Sequence, residues 1–418
     1  MRKKFKAPLW LQKIGVYLAV LGPGLITASA DNDAPGIATY SMAGSIYNYK
    51  FLFIIMAVTV GEVVIQEIAA RMGVVTGKGT ADLIRERFGV KITAFTMFSL
   101  LLANLGTTVA QIAGVAASAE LFGISRYIAA PLAAILVGLT VLRGSYKHIE
   151  KILLALSLVA ISYIITVFMM KPDWGEVLHG MFVPQFELEP TFILAVLATI
   201  GTTITPWGIF FMQSSVADKG LALKDYPYTK IDVTFGAAWG NVISAFVVIS
   251  TAVTLYVAGI PVETAEDAAL AQAPLAGNSA KMLFSAGLLG ASLLALSVLP
   301  LSTTYAFCEA FGFERGLNRR VREAPAFYGI FAGIIGISVL IVLIPGIPLF
   351  PIMWLSQTLN AFFLPVLLFL VLKLSSSEKL MGSWKNSRLQ NILAAGLTVF
   401  ISLITLTLFV TMFWNPAL

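Results

Sequence analysis

Charged residues, cysteine and histidine are all scarce in this chain of 418 residues. Charged residues make up 12% of it, about half of the share that is usual in a soluble domain. The only cysteine, Cys308, excludes an intramolecular disulfide and any zinc or iron–sulfur site built from several cysteines. The two histidines, His148 and His179, both lie outside the apolar segments, where they are badly placed for a proton relay through a membrane.

Apolar residues dominate what is present. Hydrophobic residues make up 58% of the chain and its mean hydropathy is +0.87, as in a membrane protein that crosses the bilayer many times. Such spans use most of the 418 residues and leave no room for a sizeable soluble domain. Basic cytoplasmic loops explain the net charge of +6. We therefore expect the lipid bilayer as partner, with no nucleic acid and no protein partner, and a monomer.

The apolar runs predict about eleven transmembrane helices. Their approximate limits are Ile14–Ser41, Phe51–Ala70, Ile92–Leu121, Tyr127–Leu142, Ile152–Met170, Thr191–Met212, Val233–Val257, Met282–Phe307, Phe327–Ile344, Pro351–Leu372 and Ile392–Met412. All but four of the 28 Lys and Arg residues then lie on one side of the spans, the exceptions being Lys50, Arg126, Lys171 and Lys281. The positive-inside rule predicts a plasma-membrane or inner-membrane protein with a cytoplasmic N-terminus. The odd number of spans places the C-terminus outside.

The first span is unusual because it carries acids and a helix breaker near its middle, in the stretch Asp31-Asn32-Asp33-Ala34-Pro35-Gly36. Carboxylates in hydrocarbon are costly, so they usually line a cavity or bind an ion. Pro35 removes a backbone donor, and we expect Gly36 to let the helix unwind and free carbonyls for a ligand. A proline-kinked helix whose acids reach the membrane surface is the alternative.

The sixth span is interrupted in the same way, by Pro206 and Gly208. Spans one and six are each the first of five, and an odd repeat length inverts the second unit in the membrane. Interrupted helices at matching positions in two halves indicate a transporter site at the bilayer midplane, although two kinked helices placed by chance would read the same way. The predicted units are a five-helix repeat over residues 1–171, an inverted repeat over 172–373 and an additional helix over 374–418.

Further motifs follow the first span in a fixed order along nearly the whole chain. Gly22-Pro23-Gly24 and Asp33-Ala34-Pro35-Gly36 come first, and then Ala70–Gly77, Arg143–Glu150, Glu266–Gly277, Thr304–Phe311, Ser356-Gln357 and Leu364-Pro365. Their order and spacing resemble the natural resistance-associated macrophage protein (Nramp) family of divalent-metal transporters, in which the first two motifs read GPG and DPGN. The resemblance implies an all-α membrane protein with the leucine-transporter-type fold, an inverted 5+5 repeat plus one helix, and interrupted helices 1 and 6.

The resemblance also implies a metal site at the two interruptions. In the manganese and iron transporters of the family, the metal meets an Asp and an Asn on span one, and a backbone carbonyl and a Met sulfur on span six. These positions are Asp33, Gly36, Thr202 and Thr205 here. Oxygen suits magnesium whereas a thioether suits softer metals, and magnesium keeps several of its waters. The pattern is therefore most similar to the Nramp-related magnesium transporters, although manganese also accepts oxygen ligands.

Other polar residues of the spans are weaker candidates. Gln357 and Asn360 on span ten are predicted to hold the water shell of the ion, or else to join helices by hydrogen bonds. Asp31 and Glu62 are predicted to line a vestibule or to stand behind the metal ligands, and a simply solvated carboxylate is the alternative for Asp31. For Glu62, a hydrogen-bonded acid between helices is the favoured interpretation. The acidic external loops 172–190 and 261–280 predict a weak field that attracts cations.

Proton coupling is expected to be absent. The span-six histidines of the family fall on Trp207 and about Met212, and its acidic pair on span three falls on about Thr108 and Gln111. A proton relay needs titratable groups along a buried path. We therefore expect uptake driven by the membrane potential.

Together these observations predict an importer of divalent cations, Mg²⁺ and also Mn²⁺, that works by alternating access without proton coupling. The ion is its transported substrate, and no cofactor is expected. Three alternatives remain: a proton-coupled Mn²⁺/Fe²⁺ transporter of ordinary Nramp type, an amino-acid or organic-cation carrier on the same architecture, and a metal sensor, which we expect to carry a signalling domain. An enzyme is not expected, because the spans hold no nucleophile–histidine pair or metalloprotease motif.

Overall fold

The computed structural model describes residues 32–142, 158–317 and 319–414, and every regular element in these ranges is helical. The helices are α1 (Ala34–Tyr47), α2 (Phe51–Thr76), α3 (Thr80–Glu120), α4 (Arg126–Leu142), α5 (Ile161–Met170), α6 (Trp174–Phe182), α7 (Pro190–Thr203), α8 (Pro206–Asp218), α9 (Tyr226–Thr251), α10 (Ala265–Leu270), α11 (Ala273–Ala276), α12 (Ala280–Phe311), α13 (Pro325–Val342), α14 (Leu349–Ser375), α15 (Glu378–Met381) and α16 (Arg388–Trp414). Short 3₁₀ turns lie at Asn48–Lys50, Leu158–Ala160, Leu223–Asp225, Gly277–Ser279 and Gly382–Trp384, and a π turn follows α9 at Ala252–Tyr256.

These helices lie where the apolar runs predict spans. Within the described residues, eight helical stretches are long and apolar enough to cross a membrane, and α4 and α5 are shorter apolar helices. Each predicted span from the second to the eleventh overlaps one of them, while the first half of span one lies outside the described residues. The chain is thus a multi-pass helical membrane protein. The number eleven, the inverted repeat, its boundaries and the orientation stay predictions.

Helix α3 begins a full three turns before the predicted third span. It starts at Thr80 rather than near Ile92, and Gly89 interrupts it with φ 78° and ψ 175°. This backbone conformation is open to glycine and strained for a residue with a side chain. The segment before Gly89 is rich in charged side chains, Asp82, Arg85, Glu86 and Arg87. A prediction of spans from hydropathy therefore leaves this part of the helix out.

Helix α1 lies at the centre of the bundle and is buried from Ala34 to Ser45. It packs against α7, α9 and α14 and also contacts α3. Small residues allow these approaches: a Cβ added at Gly114 of α3 would lie 2.4 Å from the Cβ of Ala34. One added at Gly44 would lie 2.3 Å from the carbonyl oxygen of Val248. Close contact through small residues is the usual packing mode of membrane helices, and it fixes the start of α1 deep in the protein.

We expect Gly201→Ala to destabilise the protein, because α7 meets α14 at this glycine. The added Cβ would lie 1.9 Å from the carbonyl oxygen of Gln357 and 2.8 Å from the amide nitrogen of Ala361. Backbone atoms cannot rotate away, and overpacking of this kind costs about 1–3 kcal/mol. Gly138→Ala on α4 is the matched control, since its Cβ meets nothing within 4 Å. Thermal unfolding in detergent should show a lower midpoint for the first variant only; equal midpoints would contradict this packing.

Candidate metal site

Asp33 is a buried carboxylate at the N-terminus of α1. It is 2% exposed and adopts an extended backbone conformation as the N-cap residue. Its Oδ1 accepts a hydrogen bond from the backbone N–H of Gly36 at 2.9 Å, and its Oδ2 accepts one from Nε2 of Gln111 on α3 at 2.5 Å. The positive end of the helix dipole further favours a negative charge here. The arrangement holds one carboxylate in a fixed orientation inside the membrane region.

Pro35 and Gly36 belong to a regular helix and do not unwind it. Pro35 and Gly36 were expected to unwind the helix, but both lie in the first turn of α1, and the irregular residues are Asn32 and Asp33. The position of Pro35 in the helix has a simple cause. Proline fits the first turn of a helix, where a backbone N–H would have no helical partner anyway. The proline therefore marks the start of α1, and the interruption of span one before Asn32 stays a prediction, since residues 1–31 lie outside the described ranges.

The sixth span is interrupted as predicted, at Ile204 and Thr205 between α7 and α8. Pro206 is the first residue of the new helix, as Pro35 is the second residue of α1, so Gly208 also lies inside a helix rather than in the break. Thr205 is extended, with φ −86° and ψ 134°, and its side chain does not cap α8. Thr202, in the last turn of α7, is 1% exposed, and its hydroxyl has no hydrogen-bond partner. The break thus places an unpaired buried oxygen beside an irregular backbone.

Gln111 is a site residue that the sequence does not identify as one. Its Nε2 holds Asp33, whereas its Oε1 is buried and has no hydrogen-bond partner. In the sequence, Gln111 stands where the family pattern has an acidic residue. Nothing in the sequence indicates that it contacts Asp33, which is 78 residues away. An amide at this position offers an oxygen to a cation without adding a charge.

The amides of span ten form a hydrogen-bonded group between three helices. Nδ2 of Asn360 donates to Oε1 of Gln357 at 2.8 Å, to Oγ1 of Thr107 on α3 at 3.0 Å and to the carbonyl of Gly201 on α7 at 3.3 Å. Gln357 also donates to Ser356 at 2.8 Å. Both amides are fully buried. These bonds fit the helix-joining role, and a role in holding the water shell of the ion stays a prediction.

Glu62 lies in a polar cavity that contains Thr202. The carboxylate is 3% exposed and accepts a hydrogen bond from Nδ2 of Asn241 on α9 at 2.5 Å. Asn32, next to Asp33, lines the same cavity. The favoured interpretation of Glu62 as an acid hydrogen-bonded between helices thus agrees with the structure, which also places it close to the two breaks. Asp31, the other predicted vestibule acid, lies outside the described residues.

The two ends of the bundle differ in their cavities and in their polar contacts. At the end predicted to be extracellular, an open cavity of about 560 Å³ extends between α3, α12 and α14, from Glu120 to Lys281 and Phe350. Its acids are partly neutralised, since Glu120 pairs with Arg126 at 2.7 Å and Lys281 pairs with Glu266.

At the opposite end, polar contacts join α3, α8 and α12. Oγ1 of Thr80 donates to Gln213 at 2.7 Å, and Gln213 donates to the carbonyl of Lys78 at 2.9 Å. Oγ of Ser214 on α8 donates to Glu309 of α12 at 3.3 Å, and Arg315, just after α12, lies 3.2 Å from the same carboxylate. These contacts hold the helices together at the end of the bundle that the sequence predicts to be cytoplasmic.

Comparison with known proteins agrees with the motifs and the fold. The sequence profile of the family described as natural resistance-associated macrophage protein-like (Nramp) matches residues 24–411. The chain belongs to this family. The divalent metal cation transporter MntH of Erwinia tasmaniensis is 28% identical over 385 residues, which are 90% of each chain. Membership in a transporter family confirms that the chain is not an enzyme.

Solved structures place this Nramp chain in the leucine-transporter-type fold. The crystal structure of the Eremococcus coleocola manganese transporter with an aromatic bis-isothiourea substituted compound matches with a TM-score of 0.75 and 21% identity, covering 97% of this chain and 88% of that one. Mhp1, a nucleobase-cation-symport-1 family transporter, matches in a closed conformation with a TM-score of 0.51 and 14% identity, over 93% of this chain and 90% of its own. At these identities the likeness concerns the fold alone.

Proposed function

We propose that this Nramp protein transports divalent metal cations and that Asp33 is the charged ligand of the ion. The buried, oriented carboxylate at the start of α1 carries the proposal, because intramembrane acids usually mark ion pathways and transporters of this architecture hold their cargo at the ends of interrupted helices. Gly36, Thr202 and Thr205 would shape the site around it. The name of the Erwinia relative, a divalent metal cation transporter, supports the same substrate class.

Alternating access would use the two ends of the bundle. An ion would enter through the open cavity at the predicted extracellular end and leave once the contacts among α3, α8 and α12 part. In our proposal the two five-helix units, residues 1–171 and 172–373, move relative to each other around the fixed site, as inverted repeats do in related architectures.

Two ions are candidates for the cargo. Manganese is favoured by the relatives, since the matching crystal structure is that of a manganese transporter. Magnesium is favoured by the donors: Asp33, Gly36, Thr202 and Thr205 offer oxygen and no sulfur, and small side chains leave room for an ion that keeps its waters. We propose that the protein carries Mg²⁺ as well as Mn²⁺.

We further propose that the membrane potential drives uptake without proton coupling. Trp207 and Met212, at the histidine positions of the family pattern, are buried, and the indole packs against Val298 and Leu299 of α12. Gln111 and Thr108 are neutral. The comparisons favour the ordinary proton-coupled type, so the flux of protons is the quantity to measure.

Uptake into proteoliposomes should follow the imposed potential for both Mg²⁺ and Mn²⁺ and leave the internal pH unchanged. A divalent cation gains about 4.6 kcal/mol per 100 mV on moving inward, which is ample driving force. Metal flux and internal pH would be recorded together with entrapped dyes, at negative and at zero potential. Liposomes without protein are the control. Acidification that scales with metal flux would overturn the uncoupled mechanism, and uptake of Mn²⁺ alone would overturn the magnesium proposal.

A further inference from the structure

A narrow polar cavity of about 10 Å³ lies beside the break between α7 and α8. This volume is close to the least that can hold one water molecule. Its walls come from α1, α2, α7 and α9, together with the residue that precedes Asp33: Asn32, Tyr40, Glu62, Thr202, Thr203 and Asn241 contribute polar side chains. Asp33 is not among the lining residues. The cavity is therefore a neighbour of the Asp33 position and separate from it.

The groups around this cavity are mostly oxygen donors. Glu62 supplies a carboxylate that Asn241 holds in place at 2.5 Å. The hydroxyls of Tyr40 and Thr203 are hydrogen-bonded to each other at 2.8 Å. Thr202 adds a hydroxyl that is 1% exposed and has no hydrogen-bond partner. A buried polar atom without a partner is costly, and carboxylate, amide and hydroxyl oxygens are the ligands of hard divalent cations.

Glu67, on the same helix, shows what a purely structural acid looks like in this protein. It lies 3.2 Å from Nε of Arg71, accepts a hydrogen bond from Gln390 at 2.7 Å and is also bonded to Tyr226. Those partners join α2 to α9 and α16. Glu62 instead faces a cavity in the middle of α2, next to the helix breaks.

We propose that the Glu62 cavity is a second position for the transported cation, one step from the position at Asp33. This inference rests on the proposed function. An ion moving between the two carboxylates would pass Asn32 and Thr202, which border the cavity. Two ions close together repel each other, so occupation of one position would speed departure from the other. A cavity this narrow suits an ion that has lost most of its waters, and Mg²⁺ sheds its waters reluctantly, so Mn²⁺ is the ion expected to occupy it more readily.

Binding of Mn²⁺ to the purified full-length protein tests this directly. The free ion would be counted by electron paramagnetic resonance during titration, first for wild type and then for Glu62→Gln and Thr202→Val. We expect two bound ions in wild type and one in Glu62→Gln. Thr202→Val removes one neutral oxygen that borders the cavity and is also proposed to shape the Asp33 position, so it should weaken binding by about tenfold while two ions still bind.

The matched controls are Glu67→Gln and Thr199→Val. Thr199 lies one turn before Thr202 in α7, and its hydroxyl bonds to the carbonyl of Ala195 in its own helix at 2.9 Å, so both controls should keep two ions. One ion in wild type, or two ions in Glu62→Gln, would overturn the second position. Two ions bound by a protein that moves neither Mn²⁺ nor Mg²⁺ in liposomes would instead overturn the proposed transport and leave the second position standing.

Discussion

Asp33→Asn should lower metal uptake by at least about 100-fold, since removal of one partner of a buried charge interaction typically costs 3–5 kcal/mol. Asparagine keeps nearly the shape of the side chain and is as good an N-cap residue as aspartate. The hydrogen bond from the backbone N–H of Gly36 should therefore persist, and the variant should fold and unfold like wild type. The change isolates the charge of Asp33 from its structural role. Uptake of Mn²⁺ and Mg²⁺ into proteoliposomes is the measurement.

A second N-cap aspartate provides the matched control. Asp173 caps α6 by accepting a hydrogen bond from the backbone N–H of Gly175 at 2.7 Å, but it is exposed and lies outside the membrane-spanning helices. Asp173→Asn should transport at the wild-type rate. If Asp33→Asn also kept near wild-type uptake of both ions, Asp33 would not be the charged ligand and the proposed site would be wrong.

The double variant Gly36→Asn with Thr205→Met should shift preference from Mg²⁺ towards Mn²⁺. It restores, next to Asp33, the amide and the thioether that the family pattern has at these positions. Sulfur favours the softer metal, and a narrower site disfavours magnesium, which sheds its waters reluctantly. The side chain of Thr205 does not cap α8, so its loss should not cost the cap of that helix. We expect a change of about tenfold in the uptake ratio, or about 1.4 kcal/mol.

Competition between the two ions gives the ratio without reference to the amount of active protein. Each single variant should produce part of the shift, because each restores one of the two ligands. Thr199→Val, inside α7 and satisfied within its own helix, serves as the control for a change of buried side chain near the break. A folded, active double variant with the wild-type ratio would show that selectivity depends on other groups, with Glu62 and Gln111 next to be changed.

The chemistry of proline made the helix starts near Pro35 and Pro206 predictable from the sequence. A proline cannot donate a backbone hydrogen bond, so Pro35 and Pro206 mark helix starts wherever the rest of the chain lies. A proline that begins a helix and a proline that breaks one look alike in a sequence, so the sequence alone places the irregular backbone at Pro35 and Gly36 and not just before them. The first turns of α3 are rich in charged side chains, which lower the hydropathy of the segment. A prediction from hydropathy therefore starts this helix too late, near Ile92 instead of Thr80.

Contacts between distant residues of the site could not be predicted from the sequence in this way. The bond between Gln111 and Asp33 joins α3 to α1, and the cavity joins Glu62 of α2 to Thr202 of α7. In an amphipathic helix, the sequence shows which face is apolar and therefore buried. Helix α1 is buried on all sides and has no such polar face. The sequence by itself therefore determined the membrane class, the family and the interruption of span six, and it predicts Asp33 as the charged ligand. The tertiary structure decided which distant oxygens stand beside them, because only packing between helices brings those groups together.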